Sequence, residues 1–225
     1  MLTHSPSKIA AICAITGSAL LFVGTYLHPL GADPNDAVAA FTEYAADRLW
    51  VASHLTQLGG ITLMTTALLF LTQLLEEGNG KAWARIASGG AIAGLAMAAA
   101  LQAVDGIALK VMVNTWSAAL AEQKDVVFHA TFAVRQIEIG LASMLSLVLG
   151  LTVSVYGVAL LADRMYPKWL AGLAIIGGVP TIVAGVVMAY TGFSDLAMTI
   201  NMPASVILLL WMLSLGILMW RHSST

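Results

Sequence analysis

The stretch IGLASMLSLVLGLTVSVYGVALLA, residues 139–162, carries no charged side chain along its whole length. The hydrocarbon core of a bilayer is about 30 Å thick, and an α-helix needs about 20 mainly apolar residues to cross it. This stretch is therefore predicted to span a membrane. The apolar pattern already begins at residue 128, so the span is predicted over 128–162, longer than one crossing requires, and thus tilted or projecting beyond the lipid.

Five other apolar segments have the length of a membrane span. They are predicted at residues 9–30, 50–75, 84–109, 169–191 and 203–220. The composition agrees, because 59% of the 225 residues are hydrophobic, 10% are charged and the mean hydropathy is +0.87. Soluble domains average about 25% charged residues. The predicted fold class is all-α, with residues 1–225 forming one transmembrane domain, an integral membrane six-helix bundle.

Several classes of function are excluded by what the chain lacks. A net charge of −2 without any basic patch argues against nucleic acid as a partner. The single cysteine, Cys13, excludes an internal disulfide and a Cys-ligated zinc or iron–sulfur centre within one chain. None of the sequence motifs of serine hydrolases, zinc peptidases or phosphate-binding loops is present.

The distribution of basic residues predicts the orientation in the membrane. One side of the six spans holds Lys8, Lys81, Arg85, Arg164, Lys168 and Arg221, and the other side holds Arg48, Lys110 and Lys124. Cytoplasmic loops carry the excess of Lys and Arg. Both termini are therefore predicted to be cytoplasmic.

The first outer loop is predicted to contain a short amphipathic helix at about residues 34–47. Asp33 suits its N-cap, Pro34 its first position and Asp36 its first turn. One face of this helix is apolar, so it is predicted to lie on the outer membrane surface; that face is formed by Val38, Phe41 and Ala45. The second outer loop, at about 110–127, is polar enough to be predicted in water.

Polar side chains within the spans are concentrated toward the predicted outer side. Such groups are costly in lipid and are treated as candidates for a functional site. The candidate ligand-binding residues are His54, Gln57, Gln102, Asp105, His129, Arg135, Gln136 and Glu138. On the fourth span they form two nearly opposite stripes, one with His129, Gln136 and Ser143 and one with Thr131, Arg135 and Glu138. That span is therefore predicted to be central in the bundle.

The partners within this group stay open at the level of sequence. Arg135 can pair with Glu138 on its own helix or with Asp105 on the third span. A buried ion pair of this kind can fix helix register without any ligand. In the alternative in which a metal is bound, the imidazoles of His54 and His129 would hold haem or copper, with His28 nearby.

Several short phrases of the sequence resemble a known group of proteins. They are HPLGADP at 28–34, WVASHL at 50–55 and VDGIALK at 104–110, with similar runs at 134–140 and 189–196. Together they resemble small bacterial multi-helix inner-membrane proteins classed as a domain of unknown function. The resemblance implies a bacterial inner membrane and a six-helix layout, and it implies no activity or cofactor.

The leading interpretation is a multi-pass membrane protein that binds a small or lipidic ligand at a polar site near the outer leaflet. One alternative is a membrane redox subunit with haem or copper. Another is an accessory subunit of a larger membrane complex or a homo-oligomer, for which the small residues from Gly90 to Gly94 offer a close-packing face. A transporter is a further alternative, suggested by Pro180 within the fifth span.

Overall fold

The structure is a computed structural model that describes residues 6–163 and 165–223. Arg164, one of the residues used to predict orientation, lies outside this part. The described residues form helices joined by short connections. The helices are α1 (Pro6–Leu27), α2 (Ala37–Ala46), α3 (Trp50–Leu74), α4 (Lys81–Gln102), α5 (Lys110–Ala118), α6 (Lys124–Ala162), α7 (Lys168–Thr191) and α8 (Asp195–His222). A π-helical segment, Ala103–Leu109, joins α4 to α5 without a break.

Six helical rods are long and apolar enough to cross a membrane. They are α1, α3, the continuous rod Lys81–Ala118, α6, α7 and α8. The all-helical fold is thereby confirmed, with six helices of spanning length in the predicted order. The described chain fits a multi-pass membrane protein.

The six rods form a closed ring in which each helix packs on its neighbours in sequence, and α8 closes the ring on α1. The sequence predicts that α6 is central in the bundle. This prediction is confirmed only in part, because α6 touches neighbours on both sides but so does every other helix of the ring. Inside the ring, the Tyr156 hydroxyl of α6 donates a hydrogen bond of 2.9 Å to the carbonyl of Leu68 on α3 and lies 2.9 Å from Thr72 Oγ1.

Small residues let several helices approach closely. A Cβ atom added to Gly60 of α3 would lie 2.6 Å from the backbone nitrogen of Leu21 on α1. A Cβ atom on Gly90 would lie 2.3 Å from Thr152 Oγ1, so the small-residue face of α4 packs on α6 within the chain. The helix α7 continues through Pro180.

Adjacent glycines on α3 provide a test of this packing. We expect Gly60→Ala to destabilise the protein by about 1–3 kcal/mol, the usual cost of overpacking. In Gly59→Ala the new Cβ atom meets only a leucine methyl at 3.9 Å, so no loss of stability is expected. Thermal unfolding of both variants in one detergent measures the difference, and equal melting temperatures would contradict the α1–α3 packing.

The two longest rods extend beyond a single bilayer crossing. The rod Lys81–Ala118 has 38 residues and α6 has 39, which correspond to roughly 57 and 58 Å of helix. A bilayer with its headgroups is about 40–45 Å thick. Their extra turns lie side by side at one end of the bundle. We call α2, α5 and residues 124–135 of α6 the cap, and this end of the bundle the cap end.

The prediction of a polar loop at 110–127 is wrong. Residues 110–118 continue as helix α5, a short connection follows at 119–123, and α6 begins at Lys124. These residues are polar overall, but α5 has one apolar face. On that face Val113 and Trp116 are buried against α2 and α6. These two side chains belong to a second hydrophobic core that holds the cap together.

The short helix predicted near residues 34–47 is present as α2, although its N-cap is Asp36 and not Asp33. The Asp36 carboxylate accepts hydrogen bonds from the backbone N–H groups of Val38 and Ala39, whereas Asp33 accepts one from Asn35 N in the turn before the helix. The face that α2 buries, with Phe41 at its centre, packs on Trp116 and Phe128 of the protein itself. Its position on a membrane surface remains a prediction.

Lys110 fastens the end of α2 to α5. Its ammonium group donates hydrogen bonds to the carbonyl oxygens of Tyr44, Ala45 and Asp47 at 2.5, 3.1 and 2.7 Å. The last carbonyls of a helix have no partner within the helix, and a cation placed there also interacts favourably with the helix dipole.

We expect Lys110→Met to loosen the cap, because three carbonyl groups lose a charged donor. Hydrogen bonds to charged groups contribute about 1.5–3 kcal/mol. Hydrogen–deuterium exchange across residues 37–47 should become faster, while exchange in α7 stays unchanged. Lys81→Met, at an exposed position at the opposite end of the bundle, is the control. Unchanged exchange in α2 of Lys110→Met would refute the role of Lys110.

Candidate ligand site at the cap end

The π-helical segment brings Asp105 against α3. A Cβ atom on Gly106 would lie 2.6 Å from Cβ of His54, so only glycine permits this approach. The indole nitrogen of Trp50 donates a hydrogen bond of 3.0 Å to the backbone carbonyl of Asp105. Single turns of π-helix are frequent at functional sites because they redirect side chains within a helix. Here the result is a carboxylate directed at the imidazole of His54.

His54 and Asp105 are bound to each other across the two helices. Nε2 of His54 lies 3.0 Å from Oδ2 of Asp105, and the histidine side chain is 2% exposed. Nδ1 of His54 lies 2.7 Å from the carbonyl oxygen of Trp50. A carbonyl can only accept, so Nδ1 carries a hydrogen and Nε2 faces the carboxylate. The other carboxylate oxygen, Oδ1, is buried without a hydrogen-bond partner among the described residues.

His28 lies beside this pair, just after the end of α1. Its Nδ1 donates to the carbonyl oxygen of Pro29 at 2.8 Å, and its ring is 5.1 Å from that of His54 and 4.8 Å from that of Trp50. Burial lowers the pKa of His28, and the charge of Asp105 only partly offsets that effect. The imidazole is therefore neutral at pH 7. One ligand atom each from His28, His54 and Asp105 lie within 4.8 Å of one another.

Arg135 and Glu138 form a buried ion pair on α6. Nη1 of Arg135 donates to both carboxylate oxygens of Glu138 at 2.7 and 2.6 Å, and both side chains are almost fully buried. Of the two pairings that the sequence left open, the structure forms this one. The guanidinium group also packs on the rings of Tyr44 and Phe193, with Nη2 3.4 Å from the carbonyl oxygen of Pro34.

A cavity of about 380 Å³ lies next to both pairs, and we call it the cap cavity. Its polar wall contains His28, Tyr44, Asp105, Arg135, Glu138 and Asp195. Its apolar wall contains Pro29, Leu30, Ala32, Pro34, Phe193, Met198 and Met202. Burial raises the pKa of Tyr44 to about 12, so its hydroxyl stays protonated. Volumes of about 300–1,000 Å³ are typical of small-molecule sites.

Gln57 and Gln102 form a separate contact between α3 and α4. The side-chain nitrogen of Gln102 donates to the side-chain oxygen of Gln57 at 3.1 Å. Neither residue belongs to the wall of the cap cavity. The two glutamines therefore cross-link the helices behind the site.

His129 and Gln136 lie apart from the other predicted site residues. The His129 side chain is 71% exposed, and its nearest ionic partner is Asp125 on its own helix at 3.5 Å. Gln136 is also exposed. The prediction placed their stripe inside the bundle, but the outer turns of α6 belong to the cap and turn this stripe outward. Only Ser143, further along the stripe, is buried, donating to the carbonyl of Gly185 on α7.

A haem or copper site built from His54 and His129 does not fit this arrangement, since one imidazole is fully buried and the other is exposed on the cap. The nearest imidazole to His54 belongs to His28, which the sequence placed nearby without counting it among the ligands. His28 lies near the end of the first predicted span, residues 9–30, and that position was the signal that placed it near His54.

Residues at the start of α8 were missed altogether. Asp195, Met198 and Met202 all face the cap cavity at spacings of three and four residues. The sequence placed the start of the sixth span at residue 203, because the polar residues before it weaken the apolar pattern. The spacing was a readable signal of a common helix face.

The described residues form an all-helical bundle that fits a multi-pass membrane protein, with a polar cavity at one end of the bundle. No protein-family model, curated protein or solved structure matches the chain.

Proposed function

We propose that this protein binds a small amphiphilic molecule in the cap cavity, with the polar end of the molecule against Arg135 and Glu138. The observation that carries the proposal is a fully buried ion pair next to open space. In a purely structural ion pair, the protein would be expected to pack over both charges, since desolvation of a charge costs several kcal/mol. Here the pair borders a cavity instead, and Met198 and Met202 of α8 also line that cavity.

The two walls indicate the chemistry of the ligand. Counted as ionised groups, three carboxylates and one guanidinium give the cavity wall a formal charge of −2. That charge disfavours an anionic polar end and favours an uncharged or cationic one. The side chains of Leu30, Met198 and Met202 suit an apolar portion, and methionine adapts to ligands of varied shape.

Filling the cavity provides a test that leaves the ion pair intact. We expect Met198→Trp to displace the ligand from protein purified in mild detergent, as measured by native mass spectrometry and by extraction of bound small molecules. Met144→Trp, at an exposed position of α6, is the control and should retain the ligand. If wild-type protein carries no bound molecule, or if both variants retain it equally, the proposal fails.

We also propose that the cap end faces the outside of a bacterial inner membrane and that both termini are cytoplasmic. The distribution of Lys and Arg supports this orientation. We further propose that the protein associates into a homo-oligomer or a larger membrane complex. Native mass spectrometry tests this association.

The single native cysteine makes the orientation easy to test. In a Cys13→Ser background, Leu120→Cys places a thiol at an exposed position of the connection between α5 and α6, at the cap end, and Glu77→Cys places one at the opposite end. A membrane-impermeant maleimide applied to intact spheroplasts should label the first variant and not the second. The reverse pattern would invert the proposed topology.

A further inference from the structure

We propose that His28, His54 and Asp105 bind a divalent first-row transition-metal ion, for which Zn²⁺ is the best match. This centre lies in the wall of the cap cavity, and it does not depend on the identity of the amphiphilic ligand. The proposal rests on four properties of the three side chains: the direction of their free donor atoms, their spacing, an unsatisfied oxygen and the local charge.

Both histidines are held in the orientation that metal-binding histidines use. In each, Nδ1–H donates to a backbone carbonyl, of Pro29 for His28 and of Trp50 for His54. Metal-ligating histidines almost always donate their second nitrogen in this way, because the bond fixes the tautomer and the ring orientation. The lone pair of Nε2 is then available on both rings.

The spacing of the donor atoms suits a common metal ion. Ligand atoms about 2.1 Å from a metal lie roughly 3.0–3.4 Å apart at octahedral and tetrahedral angles. Nε2 of His54 and Oδ2 of Asp105 are 3.0 Å apart. One ligand atom from each of the three residues lies within 4.8 Å of the others, so metal binding requires the side chains to move closer together. The metal takes the place of any proton held between His54 and Asp105, and that proton leaves to solvent.

The second carboxylate oxygen of Asp105 argues for more than a hydrogen bond between two helices. That bond uses Oδ2 and leaves Oδ1 buried without a partner among the described residues. An unsatisfied buried acceptor costs about 1–3 kcal/mol, more if charged. A metal ion that binds Oδ1, alone or together with Oδ2, satisfies this oxygen. It also accounts for His28, which the hydrogen bond does not involve.

The charge of the site points the same way. A divalent cation brings the formal charge of the cavity wall from −2 to zero. Arg135 does not oppose the cation strongly, because its guanidinium group is neutralised by Glu138.

Three protein ligands leave one coordination position open. His28 and Asp105 line the cap cavity, so the open position faces the space in which the proposed ligand lies. Two imidazoles and one carboxylate with an open position are the ligand set of many catalytic zinc sites. The same donor types also accept iron and copper, and the titration below uses Zn²⁺, which this ligand set matches.

The test uses untagged full-length protein in nanodiscs, stripped with a chelator and then titrated with Zn²⁺. We expect wild-type protein to bind one Zn²⁺ per chain, measured by mass spectrometry of the metal. His28→Gln, His54→Gln and Asp105→Asn should each raise the dissociation constant by more than the roughly 10- to 100-fold that loss of an outer-shell partner causes. His129→Gln, which removes an exposed imidazole outside the cluster, should bind as wild type does.

X-ray absorption of the zinc-loaded wild-type protein gives a readout that needs no variant. Two imidazole nitrogens and a carboxylate oxygen at about 2.0–2.2 Å are expected. Absence of stoichiometric binding, a spectrum without imidazole ligands, or an equal effect of His129→Gln and His28→Gln would overturn the proposal. If Met198→Trp fails to displace an amphiphile, the metal proposal is unaffected, because that variant tests only the ligand cavity.

Discussion

The ion pair between Arg135 and Glu138 organises the cap end of this protein. Two opposite charges in a medium of low dielectric constant attract each other strongly, but each has lost its hydration, so neither can be left alone. Around this pair the chain gathers four separate parts: α6 itself, α2 through Tyr44, the loop before α2 through Pro34, and the α7–α8 connection through Phe193. The cap cavity is the space between these parts.

The length of the helices explains why such a pair can exist in a membrane protein. Because α6 and the rod Lys81–Ala118 are both longer than a bilayer crossing, the cap encloses the outer turns of the bundle with protein. Its own hydrophobic core, which includes Phe41, Trp116 and Leu109, covers the polar site on the side of the cap. Charged groups below the cap therefore face protein and the cavity instead of lipid.

The sequence predicted the six spans well, because continuous apolar runs are the strongest signal that a bilayer imposes. It also limited the candidate partners of Arg135 to Glu138 and Asp105, since Glu138 lies three residues away on the same helix face. It could not choose Glu138 over Asp105. That choice depends on the π-helical segment, which rotates Asp105 toward His54, and on the close approach at Gly106; neither leaves a pattern in a single sequence.

His129 shows a second limit of predicting the site from the sequence alone. Helical spacing states which residues share a face, but the direction of that face depends on neighbours that come from elsewhere in the chain. The stripe with His129 and Gln136 is exposed because α2 and α5 pack on the other side of α6. Only the three-dimensional arrangement of the cap distinguishes the two stripes, and residues 110–127 had been predicted as a loop.

A structural role alone is a weak explanation for the charges at the cap end, because the bundle already has a cheaper device for fixing helix register. Toward the end of the bundle away from the cap, Tyr156 of α6 bonds to Thr72 and to the carbonyl of Leu68 on α3 through uncharged groups. Close glycine contacts fix α1 against α3 as well. Buried ion pairs are often replaceable by apolar residues without loss of stability. The ion pair, Asp105 and His28 line one cavity, and His54 is bound to Asp105. This convergence is the basis for the proposal that the cavity binds a ligand.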